Sequence, residues 1–191
     1  MDKRIESLNK IQKEAYQFAH EGRIESYKKL IPWIPKDVTT LLDIGSGYGK
    51  LAPLLPGIDV VSIDIYPKSI EVFKADMHDL PYAKDSFDMI FYSHTLEHSP
   101  TPVIALLEAH KVLRPGGHIL AIIPSYVDKV QMKHETHWSV FPVDTWLEIF
   151  KRCGFTKLRR MTNGYYWKQE TGNKVWRLED FFLFQKRDTI G

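Results

Sequence analysis

A single cysteine, Cys153, stands in 191 residues. No internal disulfide can form, and such cysteine usage fits a reducing compartment. Set before Gly154 and Phe155 at the expected end of a helix, that thiol reads as a small buried side chain rather than a nucleophile. Long apolar runs are also lacking. No window approaches a membrane span, and the opening "MDKRIESLNKIQKEAYQFAHEGR" has no apolar core of signal-peptide length. A cytoplasmic location without membrane contact is therefore expected. Neither sign of charge dominates: the net charge is +2, which argues against nucleic-acid binding over the whole surface and leaves only a local patch open. Fixed-period repeats and low-complexity tracts are absent too, which removes solenoid and linker readings. What is present, 43% hydrophobic and 26% charged residues, is the composition of a globular domain, and the length suits one domain with appendages.

Glycine and proline mark where elements stop. Ile5, Leu8, Ile11, Ala15, Phe18 and Ala19 recur at helical spacing, Gly22 divides the run into two helices, and Pro32 and Pro35 end the second. Residues 1–36 thus read as an N-terminal helical cap on a domain spanning 37–191. There "TTLLDIG" reads as a buried strand, "KLAPLL" as the opening of a helix interrupted by Pro53, and "DVVSIDI" as a second strand. "SFDMIFYSH" is a further strand, "PVIALLEAHKVL" a helix stopped by "RPGG", "HILAIIP" a strand and "PVDTWLEIFKRCG" a helix. Two last strands are expected around Leu158 to Met161 and in "DFFLFQK". Strands alternating with helices predict an α/β, doubly wound, Rossmann-like, mostly parallel sheet of seven strands whose last hairpin is antiparallel. Only seven residues, Ile65 to Glu71, separate Asp64 from the apolar run at Val72. A parallel crossover normally takes a dozen or more, so the second crossover is predicted to be a turn that leads into a short edge strand.

"LLDIGSGYGK" places Gly45, Gly47 and Gly49 directly after the first strand. A triphosphate-binding loop would need four residues between Gly45 and the Gly-Lys, then Ser or Thr for magnesium; here there are three, and Leu51 follows Lys50. A dinucleotide site would need G-x-G-x-x-G, and the spacing is G-x-G-x-G. Asp64 closes the second strand, 19 residues beyond Gly45, where a carboxylate can accept both hydroxyls of a ribose. A ribose-bearing ligand without a pyrophosphate points towards S-adenosylmethionine.

With "SIDIYP", "ADMHDLPYAKDSFDMIFYSHTLEH" and "EAHKVLRPGGHILAIIP" following "LLDIGSGYG" in order, the chain resembles the class I S-adenosylmethionine-dependent methyltransferases of the small type 11-like branch. The resemblance covers roughly Leu41 to Phe155. It implies that Gly45, Ser46, Gly47 and Gly49 cradle the methionine moiety, that Asp43 helps place its amino group, and that Asp64, with Ile65 beside it, holds the ribose. Asp76 and Met77 resemble the pair that faces adenine. Ser93 and His94 resemble the strand end whose backbone lines the pocket, and Asp88 a structural position.

Methyl transfer needs a base only where the acceptor must lose a proton, and histidine titrates near neutrality. "HTLEH" and "KHETHW" supply His94, His98, His134 and His137 with Glu97 beside them. His98 and His137 are expected to act as base or substrate-positioning groups. His94, Glu97, His98 and His137 could instead hold a metal; the expectation is that they do not, because "LEH" is a common packing element in the family. The acceptor is expected to be a small molecule presenting oxygen or nitrogen, and the protein a monomer or homodimer. Lys151 to Arg177 carries eight Lys or Arg and one Glu among Tyr165, Tyr166, Trp167 and Trp176. That segment keeps an RNA or protein acceptor as an alternative, alongside a non-catalytic interaction module.

Overall fold

A computed structural model of the protein describes residues 23–168 and 173–190. The first of the two expected N-terminal helices lies outside the described residues, as does the centre of the basic aromatic segment. Residues 23–30 form helix α1, and Pro32 falls within the 3-10 turn Ile31–Trp33 that ends it. Strand β1 is Thr40–Ile44, and a 3-10 turn at Ala52–Leu54 leads to β2, Asp59–Asp64. Then come β3, Val72–Lys74, and β4, Phe87–Ser93, followed by a 3-10 turn at Leu96–His98. Helix α2, Pro102–Val112, runs into β5, Leu113–Pro124; α3, Lys129–Met132, and α4, Val143–Arg152, precede β6, Phe155–Lys168, and β7, Lys174–Lys186.

Among the described residues these strands make one seven-stranded sheet in the order β3-β2-β1-β4-β5-β7-β6. The pairs from β3 to β5 are parallel, and β5–β7 and β6–β7 are antiparallel, as the alternation of elements predicts. Successive side chains of a strand point to opposite faces. Leu41 and Leu42, Leu120 and Ala121, and Phe181 and Phe182 therefore divide between two cores. One core packs Leu42, Ile90, Phe182 and Phe184 beneath α2 and α4, where Phe150 stacks on Phe184 at 3.9 Å. The other packs Leu41, Phe91 and Phe181 against Tyr27, Leu30 and Trp33. Each such side chain contributes about 1.5–3 kcal/mol of transfer free energy, an upper estimate. Burial on both faces is why the strands read as near-continuous apolar runs.

Three elements depart from the sequence reading. "KLAPLL" forms a single 3-10 turn and no α-helix. Pro56 disfavours α geometry at the preceding residue, and Leu55 accordingly takes φ −121° and ψ 60°. "RPGG" does not separate α2 from the next strand, because β5 begins at Leu113 itself. It pairs first with Phe87, then resumes at Met89–His118, so the intervening residues bulge. Gly117 sits in that bulge, and a Cβ there would lie 2.9 Å from the Arg114 carbonyl and 3.0 Å from that of Asp88. Strands β6 and β7 are far longer than expected, at 14 and 13 residues. Beyond Glu179, where β5 ends its pairing, they continue as a two-stranded ribbon clasped by Tyr166 and Trp176, with ring centroids 4.8 Å apart. The second crossover matches its prediction: residues 65–71 form turns, and β3 has only three residues.

Candidate functional site

The carboxyl ends of the parallel strands converge on the loop after β1. Gly45, Gly47 and Gly49 take φ of +73°, +57° and +67°, a region where any residue with a Cβ loses about 1–2 kcal/mol. Space matters as well. A Cβ on Gly45 would lie 2.3 Å from Thr95 Oγ1, whereas Gly47 faces open space. The N–H groups of Gly45 and Ser46 both donate to the Ile63 carbonyl, at 2.9 and 3.0 Å, and so fasten the loop over β2. Asp64 completes the ring: its Oδ2 accepts from Gly47 N–H at 2.9 Å and its Oδ1 from Tyr66 N–H at 2.8 Å. Ile65, next in the chain, is 48% exposed at the rim.

Asp43 lies beneath this ring, 3% exposed. Burial, with the charge of Asp64 second, pushes its carboxyl up to about 8. A buried carboxyl that ionises reluctantly is suited to a cationic partner, which would favour its charged form. The cradle as a whole thus fits a ligand bearing an ammonium and a ribose.

Asp76 and Met77 follow β3. Met77 packs against the α2 core. Asp76 is exposed, and its Oδ1 accepts from His78 N–H at 2.9 Å and lies 2.7 Å from His78 Nδ1. The His78 backbone bond holds the Asp76 carboxyl below its ordinary value. His78 Nε2 reaches Ser99 Oγ at 2.6 Å. His78 therefore ties the expected adenine-facing turn to the segment after β4, a role with no sequence signal. Asp88 is structural, as expected: its Oδ2 accepts from the backbone and hydroxyls of Thr39 and Thr40.

At the end of β4, Ser93 is buried and His94 turns with φ +51°. The His94 ring lies between two carboxylates, with Nε2 2.9 Å from Glu179 Oε2 and Nδ1 3.4 Å from Glu97 Oε1. Burial alone would lower its pKa, but the two carboxylates outweigh burial and raise it. Glu179 also accepts from Ser26 Oγ and, at 2.7 Å, from Asn163 Nδ2. Lys29 donates in turn to Asn163 Oδ1 at 2.7 Å, and Tyr165 stands edge-on to His94. Ser26, Asn163, Tyr165 and Glu179 were not singled out as site residues, because they come from three separated segments that share no motif.

His98 and His137 are brought together as expected. The Glu97 carbonyl accepts from both Trp138 and Ser139 N–H, at 2.8 and 2.9 Å, and Ser139 Oγ donates to the Ser99 carbonyl at 2.7 Å. These bonds dock the segment after α3 onto the Leu96–His98 turn. The rings of His98 and His137 are then 4.7 Å apart, and His134 stacks on His137 at 4.6 Å. One ligating atom from each of Glu97, His98 and His137 falls within 4.8 Å of the others. Burial holds His137 below its ordinary pKa. His110 stands apart, 3.1 Å from the Arg187 carbonyl.

A family model described as a methyltransferase domain matches residues 42–121, from β1 into β5. A 2-methyl-6-phytyl-1,4-hydroquinone methyltransferase from Oryza sativa subsp. japonica is 32% identical over 111 residues, covering 52% of this chain and 30% of the rice protein. A 27-O-demethylrifamycin SV methyltransferase from Amycolatopsis mediterranei is 34% identical over 98 residues, covering 41% of this chain and 36% of that one. The match thus spans about a third of either relative's length. A solved SAM-dependent methyltransferase from Methanosarcina mazei superposes with a TM-score of 0.63 over 83% of this chain and 97% of its own, at 20% identity, a likeness of fold. The matched residues 42–121 stop short of the His137 segment and of the β6–β7 hairpin.

Proposed function

We propose that this protein, whose residues 42–121 match a methyltransferase-domain model, belongs to the class I S-adenosylmethionine-dependent methyltransferases, binds S-adenosylmethionine and methylates an oxygen or nitrogen of a small molecule. The observation that carries the reading is the ring formed by Gly45 to Gly49 and Asp64, closed through Gly47 N–H at 2.9 Å over the buried Asp43. Bound S-adenosylmethionine would supply an electrophilic methyl group on a sulfonium. Gly47 leaves room for close backbone approach, Asp64 is the ribose acceptor, and Asp43 pairs with the ammonium. Ser46 and Gly49 complete the cradle, Asp76 and Met77 flank adenine, and the Ser93–His94 backbone lines the pocket.

The acceptor side is built by α1, which is the described part of the expected N-terminal cap, by the segment 125–141 and by the described part of the hairpin. Orientation supplies much of the acceleration in such a transfer, and the buried cluster of His94, Glu179, Ser26, Asn163 and Tyr165 is a polar floor able to orient a small molecule. His98 or His137 receives the acceptor's proton where one must leave. Basic residues of the hairpin do not favour a nucleic-acid acceptor, since several are engaged within the protein. Arg159 lies 4.2 Å from the Trp33 ring centre, Arg160 pairs with Asp180 at 2.8 Å, and Arg177 is 6% exposed near Asp128. No helix among the described residues is long and apolar enough to cross a membrane; a cytoplasmic location and a monomer or homodimer are part of the proposal.

Calorimetric titration with S-adenosylhomocysteine tests the cofactor, followed by a screen of hydroxyl and amine acceptors. Saturable binding with turnover on a small molecule is expected. Binding of NAD in its place would overturn the assignment, and cofactor binding without turnover on any acceptor would favour an interaction module.

A further inference from the structure

A carboxylate withdrawn from water is costly unless hydrogen bonds or a cation satisfy it. Glu97 is 0% exposed, and neither of its oxygens accepts a hydrogen bond among the described residues. Its neighbour His94 stands 3.4 Å away and makes the closer contact, 2.9 Å, with Glu179. Two imidazoles flank the same carboxylate. His98 Nδ1 lies 3.0 Å from the Thr136 carbonyl and His137 Nδ1 lies 2.7 Å from the Gln131 carbonyl. A carbonyl only accepts, so each Nδ1 carries a proton, and in the neutral imidazole it is Nε2 that offers the lone pair. That outer hydrogen bond is the one that fixes tautomer and ring orientation in metal-bound histidines. Neighbouring His134 has the opposite arrangement: its Nδ1 accepts from Thr136 N–H at 3.4 Å, which puts the proton on Nε2.

We infer that Glu97, His98 and His137 form a binding site for a first-row divalent transition ion. Two imidazoles and one carboxylate suit zinc, iron or cobalt and suit magnesium or calcium poorly, since those prefer oxygen donors. One ring nitrogen from each histidine and one Glu97 oxygen lie within 4.8 Å of one another. Ligands at about 2.1 Å around a tetrahedral ion are ~3.4 Å apart, so side-chain rotations that close at most ~1.4 Å complete the site. Docking of the segment after α3 by Trp138 and Ser139 already holds the backbone in place. Three protein ligands would leave positions for an acceptor hydroxyl or water, as in catalytic zinc sites, and an ion held there would acidify the acceptor in place of the base role given above to His98 or His137. That use of the ion rests on the function proposed above; the site itself requires neither cofactor nor acceptor.

The full chain, stripped with a chelator and free of cofactor and acceptor, is titrated with Zn²⁺ by calorimetry and with Co²⁺ by visible absorption. One ion per chain is expected, with at least ~10-fold weaker binding in Glu97→Gln, His98→Ala and His137→Ala and unchanged binding in His134→Ala. Should Glu97→Gln fail to fold, as judged by circular dichroism, the two histidine variants decide. Absence of saturable 1:1 binding, wild-type affinity in the histidine variants, or loss of binding in His134→Ala overturns the site. Titration of the same stripped protein with S-adenosylhomocysteine reports the cofactor separately, so either idea can fail alone.

Discussion

The two halves of the sheet hold their candidate functional groups by different means. Around β1 and β2 the contacts run largely through the backbone: Gly45, Ser46 and Gly47 meet Ile63 and Asp64 across about 17 residues of chain. Around β4 and β7 they run between side chains, with His94 reaching Glu179 across 85 residues and Ser26 reaching it across 153. A site made of backbone amides tolerates changes in most side chains and is broken at its glycines and one acid. A site made of side chains can be remodelled one residue at a time. The division suits a protein that keeps one donor and adapts to an acceptor.

The contrast is tested most severely at Glu179. Glu179→Ala removes the nearer partner of a buried histidine and should cost about 3–5 kcal/mol by chemical denaturation, with Glu179→Gln milder; a loss under ~1 kcal/mol would mean that this half is not held by its ion pair. Next come two glycines in one loop. Gly45→Ala incurs the left-handed penalty of about 1–2 kcal/mol together with overpacking against Thr95 of about 1–3 kcal/mol, whereas Gly47→Ala incurs only the first. Equal melting temperatures for the two variants would contradict the packing. Asp64→Ala should weaken S-adenosylhomocysteine by about 1.5–3 kcal/mol in a calorimetric titration, and undiminished affinity would take Asp64 out of the site.

A further effect is in protons. Asp43 ionises near 8 in the folded chain but near ~3.9 when unfolded, so the folded state holds more protons in between. Stability from this group is therefore lost as pH rises from about 4 to about 8 and levels off above. Asp43→Asn should flatten that slope in thermal melts. An ammonium placed opposite Asp43 would favour its charged form, so S-adenosylhomocysteine should release protons at neutral pH. Titrations in buffers of different ionisation heat measure this, and binding without release would separate Asp43 from the ammonium.

Legibility in the sequence followed the same division. The glycine spacing, the distance to Asp64 and the apolar strands are local patterns, and they predict the seven-stranded, mostly parallel sheet with its antiparallel last hairpin and point to the candidate cradle. Counting Ile65 to Glu71 was enough to foresee the missing second crossover helix. The first was misjudged because the effect of Pro56 on Leu55 was not weighed, and "RPGG" passed for a stop because a bulge and a turn share glycine. The clustered histidines of "HTLEH" and "KHETHW" mark His98 and His137 as candidates, whose rings the fold brings together, but nothing local marks Glu179, Asn163, Ser26 or His78. Their partners come from elements that only the folded chain brings together.

The shortened crossovers also bear on the order in which the molecule assembles. With a 3-10 turn after β1 and seven residues after β2, strands β1 to β3 occupy residues 40–74. Loop-closure entropy grows with the logarithm of length, and pairing among near neighbours is kinetically favoured over distant contacts. The ring of Gly45 to Asp64 lies wholly within that stretch, while the Ser26–Glu179 contact encloses nearly the whole described chain. During synthesis, at about 5–20 residues per second, the donor cradle leaves the ribosome several seconds before β7 can close the acceptor side.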